Sequence, residues 1–432
     1  MITSFQKKSA YFMVIMLFLL LIGTRLLAVS EAAVLSLMIS PSSEANAMGQ
    51  TYGNITSTSP MATIFNPASL GFFAQKNYFG TSFYPEKVAW LPSFASDISL
   101  DTKVNCIGIN LDKFLNIPLS VGIARYNTHF DLGEQVHTDE VGTDLGSFNS
   151  WEKYVGTTFS VALDYYIRAS FGYTSKSYES NLSPVSVGAV TNVSAEGRAF
   201  DIGMLFELPI INIVQKMRLI DMNLGTRLVP FLNAGYYYSK TNVGDKVVYL
   251  DAAQADPLPR NLSLGVNLSA GLVYEGKLSD ITLFHYKWAR EVNDMLIKRY
   301  ADGTTKYQSG LNDIKLWENV FAGKSNDKII AKKGYELNLG DIYYYRKGKY
   351  EDSEGYVFMD TEGWAISYTR PLLIVCEFLN IEANNLIMFV SKINIEKHYA
   401  RYITNIGHPL SDTEFKSYVI RLQNFPLDAL FK

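Results

Sequence analysis

Apolar residues recur at every second position through much of this 432-residue chain. Leu262, Leu264, Val266, Leu268, Leu272 and Tyr274 hold one parity, and Ser263, Gly265, Asn267, Ser269 and Gly271 hold the other. Side chains of a strand alternate between two faces, so this stretch predicts a strand with one apolar and one small-polar face. At about 3.3 Å per residue it reaches about 40 Å, enough to cross a bilayer on a tilt, whereas soluble strands average about 5–6 residues. The same pattern places strands at Leu119, Val121 and Ile123, at Phe159, Val161, Leu163 and Tyr165, and at Phe200, Ile202, Met204 and Phe206. It recurs at Trp364, Ile366 and Tyr368, and at Ile387, Phe389, Ile393 and Ile395. The alternate positions are repeatedly Gly, Ser, Asn or Asp, which suit a lumen, while the apolar set suits lipid. The expected fold is all-β, a transmembrane antiparallel β-barrel.

A secreted sandwich alternates too. The barrel is favoured by strand length and by aromatic residues near strand ends, which form interfacial girdles: Tyr165 and Tyr166, Tyr236 to Tyr238, Tyr343 to Tyr345, and Tyr399. Loop lengths agree. Connections at 112–118 and 275–279 read as short, and those at 127–150, 175–196 and 294–333 as long and polar. Long loops of such barrels face outward, so the latter are expected on the cell exterior. Tyr418 to Phe425 reads as the closing strand.

The N-terminus carries Lys7 and Lys8, an apolar run over residues 10–23, and small residues at Ala28-Val29-Ser30. That is the layout of a secretory signal, too short for the ~20 apolar residues of a spanning helix. Elsewhere the longest apolar stretch, residues 372–390, is broken by Glu377, Asn380, Glu382, Asn384 and Asn385. Those groups are costly in lipid, so no second helical span is expected. An exported barrel belongs in the outer membrane of a Gram-negative-type bacterium, with its lipid as the surrounding partner.

A net charge of −3 gives no basic surplus for nucleic acid. Cys106 and Cys376 read as separate thiols. The five histidines show no metal-ligand spacing, and there is no nucleophile elbow or phosphate-binding loop. No enzyme, metal or cofactor is expected.

The least strand-like part of the exported chain is residues 39–75. It holds Met48 and Gly49 after a small-residue run, then Phe65-Asn66-Pro67-Ala68-Ser69-Leu70-Gly71. Pro67 excludes a central strand, Asn66 offers donor and acceptor groups, and Ala68 and Gly71 permit close approach. This segment is expected to plug the lumen, with Asn66, Pro67, Ala68, Gly71, Met48 and Gly49 against a small-polar wall such as Ser263, Gly265 and Asn267; the alternative is an exposed N-terminal arm. Phe65, Leu70, Phe72 and Phe73 line a hydrophobic pocket or simply pack the plug on the wall. The expected division is signal peptide 1–30, hatch 31–76, barrel 77–425 and extension 426–432.

The pairing of Ala47-Met48-Gly49 with Asn66-Pro67-Ala68-Ser69-Leu70 resembles the long-chain fatty-acid transporter (FadL-like) superfamily of outer-membrane proteins, and most of all its PorV/PorQ branch. Residues 85–94 (PEKVAWLPSF), residues 258–265 (LPRNLSLG, with Ser263 where arginine is usual) and the stretch from Gly334-Tyr335-Glu336 to Tyr368 resemble that branch as well. The resemblance implies about 14 strands with a luminal hatch. It implies a role in type IX protein secretion without catalysis, with a translocon or exported proteins as partners. The wider superfamily implies the alternative: a channel taking up hydrophobic ligands such as long-chain fatty acids. A structural outer-membrane protein is the third reading.

Overall fold

A computed structural model describes residues 32–52, 59–138, 141–183, 193–216, 227–300, 302–381, 384–405 and 407–424. The proposed signal peptide, Phe425 and the C-terminal extension lie outside these residues. Fourteen strands follow one another around a closed antiparallel barrel. They are β1 (Asn77–Phe83), β2 (Ser99–Asn110), β3 (Leu119–Thr138), β4 (Asp144–Asp164), β5 (Arg168–Ser183), β6 (Val193–Pro209) and β7 (Leu228–Gly244). The second half comprises β8 (Asn261–Tyr274), β9 (Ile281–Met295), β10 (Ile329–Leu339), β11 (Tyr343–Asp352), β12 (Val357–Ser367), β13 (Ile393–Ile403) and β14 (Glu414–Gln423). β1 closes the sheet: Phe79 lies opposite both Ile107 of β2 and Leu422 of β14, and Phe83 opposite Lys103 and Tyr418.

Helices α1 (Ser43–Ala47) and α2 (Ser69–Lys76) precede the barrel. α3 (Asp112–Leu115), α4 (Ile210–Lys216), α5 (Arg370–Phe378) and α6 (Asn385–Val390) sit in connections at the end where β1 begins and β14 finishes, here the terminal end. The opposite end is the loop end.

The period-two reading places the faces correctly. Phe159, Phe171, Tyr173, Phe200, Leu268, Phe284, Tyr335, Tyr343 and Tyr345 point outward and stay exposed. Ser120, Ser160, Ser170, Thr174, Asp201, Ser263 and Asn267 point inward and are buried. The outward apolar set gathers towards the terminal end and continues onto the connections through Phe114, Ile117, Tyr165, Tyr166 and Ile167. That band is what lets the wall face hydrocarbon.

Three expectations need correction. Of residues 127–150 and 175–196, most of the described ones are strand: β3 runs to Thr138, β4 starts at Asp144, β5 runs to Ser183 and β6 starts at Val193. The ladder continues where outward hydropathy stops, because pairing needs only backbone groups. Ile387 and Phe389 lie on α6, whose start is capped by the Asn384 side chain accepting from the Ile387 N–H at 2.9 Å. Long connections are not confined to one end, since residues 210–227 and 368–392 are long and lie on the same side as 112–118.

The loop between β9 and β10 does as its polarity predicts in length, but it folds back over the outside of the wall. Leu262, Leu264, Val292, Ile329 and Ala331 point outward near the loop end, yet are buried beneath Ile314 and Val320 of that loop. Leu264→Ala should therefore behave as a core deletion and cost about 2–4 kcal/mol. Leu268→Ala, facing lipid on the same strand, should cost less than about 1 kcal/mol. Urea titrations in lipid vesicles check the contrast.

Candidate functional site: the occupied lumen

The segment before β1 runs inside the barrel. Ser42 starts α1 by accepting from the Ala45 N–H at 3.2 Å, and Asn46 donates its side-chain amide to the Ser40 carbonyl at 3.0 Å. Pro67, with its fixed φ, leads into α2, while the Asn66 Oδ1 accepts from the Ala68 N–H at 3.2 Å and the Ser69 hydroxyl donates to the Asn66 carbonyl at 2.9 Å.

Two places bring this backbone against the wall. At the first, a Cβ on Gly172 would come 2.3 Å from the Pro67 carbonyl carbon, and one on Gly203 would come 2.4 Å from the Asn66 Oδ1. At the second, a Cβ on Gly348 would come 2.1 Å from the Gly49 nitrogen, and one on Gly334 would come 2.5 Å from the Met48 oxygen. No side chain fits at any of the four, so the wall is glycine where the segment seats. Gly49 itself holds φ +69°, a left-handed conformation that lets the chain turn there.

Wall side chains satisfy the segment's backbone. Ser170 donates to the Ala68 carbonyl at 2.6 Å, Ser239 to the Phe65 carbonyl at 2.5 Å, and Ser120 to the Gly71 carbonyl at 3.2 Å. Thr361 donates to the Ala47 carbonyl at 3.1 Å and accepts from the Gly49 N–H at 2.8 Å. Two carboxylates take further donors: Glu152 accepts from the Ser36 N–H at 2.8 Å and Glu291 from the Tyr52 N–H at 2.6 Å. Buried backbone groups must find partners, and a segment with little regular structure finds them on the barrel.

Asn66, Pro67, Ala68 and Gly71 thus meet at one seat on β3 to β7, and Met48 and Gly49 at another on β10 to β12. Asn66 departs from its expected role. Its Oδ1 serves its own turn, its Nδ2 is buried without a hydrogen-bond partner among the described residues, and its wall is Gly203. Ser263 and Gly265 face elsewhere, Ser263 accepting from Asn293 at 2.8 Å and Gly265 lying under the Tyr237 ring. Phe65, Leu70, Phe72 and Phe73 do not converge on one pocket. Leu70 fills the space over Gly122, Phe73 abuts Gly80 and Cys106, Phe72 packs with Leu205 and Tyr237, and Phe65 stacks on Tyr52 at 4.7 Å.

The two halves of the lumen differ in chemistry. Towards the loop end, Tyr126, Phe130, Tyr154, Tyr178, Tyr402 and Phe415 surround Val34, Leu37, Ile39, Met61 and Ile64 of the segment in one buried cluster. Towards the terminal end lies a cavity of about 680 Å³, bordered by Phe72, Phe73, Arg168, His285 and a charged lattice. In that lattice Lys287 and Arg346 hold Glu336 at 2.7 and 2.6 Å, and Arg421 and His398 hold Glu396 at 2.5 and 2.9 Å. Glu44 of α1 approaches Arg346 at 4.0 Å. Opposite charges alternate, so each of the three carboxylates of this lattice, Glu44, Glu336 and Glu396, faces a cation. A second pair, Lys176 and Asp201 at 2.8 Å, ties β5 to β6. The small-polar parity marks Asp201, with Asp164, as able to line a lumen, but assigns no role to Lys176, Lys287 or Arg346. The signal was their phase: Lys287 and Glu291 share parity with inward His285.

No family model matches the chain, and no curated protein matches it. Solved structures do. The chain is similar to the TodX monoaromatic hydrocarbon channel in its ΔS2 mutant, at 12% identity and a TM-score of 0.39, over 88% of this chain and 98% of that one. It is similar to a FadL homologue of Pseudomonas aeruginosa at 9% identity and a TM-score of 0.38, over 89% and 98% of the two chains. It is also similar to CdiB from Acinetobacter baumannii, at 10% identity and a TM-score of 0.32 over 81% of this chain, spanning 60% of CdiB.

The seats predict a sharp steric response. Gly348→Val should unseat Met48 and Gly49 while leaving the ladder of β11 intact. Single-channel conductance in planar bilayers should rise above that of the wild type, and residues 39–52 should become open to protease. A valine variant as silent and as protected as the wild type would show that the segment does not control passage.

Proposed function

We propose that the protein is an outer-membrane channel that admits hydrophobic small molecules past a luminal hatch formed by residues 32–76. The observation that carries this is the apolar lining of the loop-side lumen, shared between wall aromatics and the segment itself. Burying one large apolar side chain is worth about 1.5–3 kcal/mol, so withdrawing Leu37, Met61 or Ile64 leaves surface that water does not compensate. An apolar solute does compensate it. Such a solute opens the hatch by taking its place, and the polar cavity at the terminal end receives what passes. In this reading the loop end faces the exterior and the terminal end the periplasm.

The PorV/PorQ resemblance implies secretion instead, but the apolar loop-side lumen favours uptake, and TodX, which the chain is similar to, is a monoaromatic hydrocarbon channel. Passage needs binding and displacement, without catalysis.

Uptake decides between them. Cells lacking the protein should accumulate a radiolabelled aromatic hydrocarbon or long-chain fatty acid several-fold more slowly than cells carrying it, with small polar solutes unaffected. Equal uptake of both apolar probes, together with loss of secreted proteins from the medium, would overturn the proposal in favour of secretion.

A further inference from the structure

The upper edge of the lipid-facing band carries an arrangement that no lumen function uses. On the outer face, Arg290 of β9 lies directly opposite Lys333 of β10, and Lys333 lies directly opposite Lys349 of β11. Directly opposed side chains sit about 5 Å apart at Cβ, and like charges there are destabilising. One rung nearer the terminal end, Lys347 stands opposite Tyr335 and is a diagonal neighbour of Lys333. The nearby carboxylates are largely engaged. Glu351 holds Lys349 at 3.2 Å, Asp360 lies opposite Lys349, and Glu362 holds Arg401 at 2.6 Å while standing opposite Lys347. Lys333 and Lys347 have no hydrogen bond or ion pair among the described residues. Among the described residues the Arg290 guanidinium has the Phe321 carbonyl and the Trp288 ring, 5.2 Å away, as its partners.

Arg290 and Lys333 stand one rung above the outward rings of Trp288 and Tyr335, Lys347 stands level with those rings, and the Phe321 carbonyl holds the β9–β10 loop over Arg290. Trp317 and Phe321 of that loop lie 5.4 Å apart and are 77% and 52% exposed. A cationic pocket between an aromatic overhang and a hydrocarbon band fits a group that is anionic at its head and apolar below it.

We propose that Arg290, Lys333 and Lys347 bind the phosphate of a phosphorylated lipid headgroup in the leaflet at the loop end, with Trp317 and Phe321 covering it. A phosphate dianion accepts from all three and removes the repulsion that the strand register imposes. The site depends on the barrel being membrane-inserted, not on what crosses its lumen, so failed hydrocarbon uptake leaves it standing.

The test uses the full chain in neutral detergent, with bisphosphorylated lipid A, its dephosphorylated form and inorganic phosphate as separate probes in native mass spectrometry. The wild type should retain bisphosphorylated lipid A. The R290Q/K333Q/K347Q variant should bind it at least about ten-fold more weakly, each cation near an anionic lipid being worth about 1 kcal/mol. K333Q alone should raise the thermal midpoint in lipid-free detergent and blunt the gain from added lipid, which separates lost binding from misfolding. Retention of the dephosphorylated lipid equal to that of lipid A, unchanged binding by the triple variant, or displacement of lipid A by millimolar inorganic phosphate would each overturn the proposal.

Discussion

A sheet that faces hydrocarbon must leave no backbone N–H or C=O without a partner, and here closure rests on one seven-residue strand, β1. The chain enters β1 straight from α2, inside the lumen, with no turn between them. Phe73 of α2 packs on Gly80 of β1. The closing strand and the last part of the luminal segment are therefore one mechanical unit, and moving α2 would pull on the seam. The ladder resists that, since breaking it strands polar groups in lipid at several kcal/mol each. Whatever moves in the lumen is thus upstream of α2, around α1 and the Met48–Gly49 seat.

The inward face follows from the same requirement applied to the segment. Residues 32–52 and 59–68 form only short helical turns, so most of their backbone groups have no partner within the segment. The wall supplies hydroxyls for carbonyls and carboxylates for N–H groups, and glycines where the two backbones meet. The small-polar parity of the strands is therefore a binding surface for peptide, which explains why it is rich in Ser and Thr as well as Gly.

The barrel was legible because lipid on one side and peptide on the other impose opposite chemistries at period two. The seats at Met48, Gly49, Pro67 and Ala68 were legible in kind, since small residues beside a proline announce close packing. Their partners were not, because Gly172, Gly203, Gly334 and Gly348 are distant in sequence and look like any strand glycine. Asn66 misled for a related reason: its own turn satisfies it locally, which no spacing reveals. The strand ends at Thr138 and Asp144 were missed because hydropathy ends with the membrane while hydrogen bonding does not. Ile387 and Phe389 alternate as a strand would, yet Asn384 caps a helix there, and the alternation of two residues weighed too much against that signal.

The charged lattice sets the resting position of the segment. Among its fixed charges, Lys287, Arg346 and Arg421 face Glu336, Glu396 and Glu44, three cations against three carboxylates, and only Glu44 belongs to the segment. With α1 withdrawn, three cations would face two carboxylates in a buried wall. An uncompensated buried cation is costly, whereas the complete set is neutral. The apolar half of the lumen and the charged half therefore act in the same sense. In the proposed channel, the first would resist displacement unless an apolar group replaced the segment, and the second would draw Glu44 back once that group had moved on. In the proposed channel, closure would need no external energy, because the segment is tethered to β1 and the wall satisfies both its carbonyls and its carboxylate.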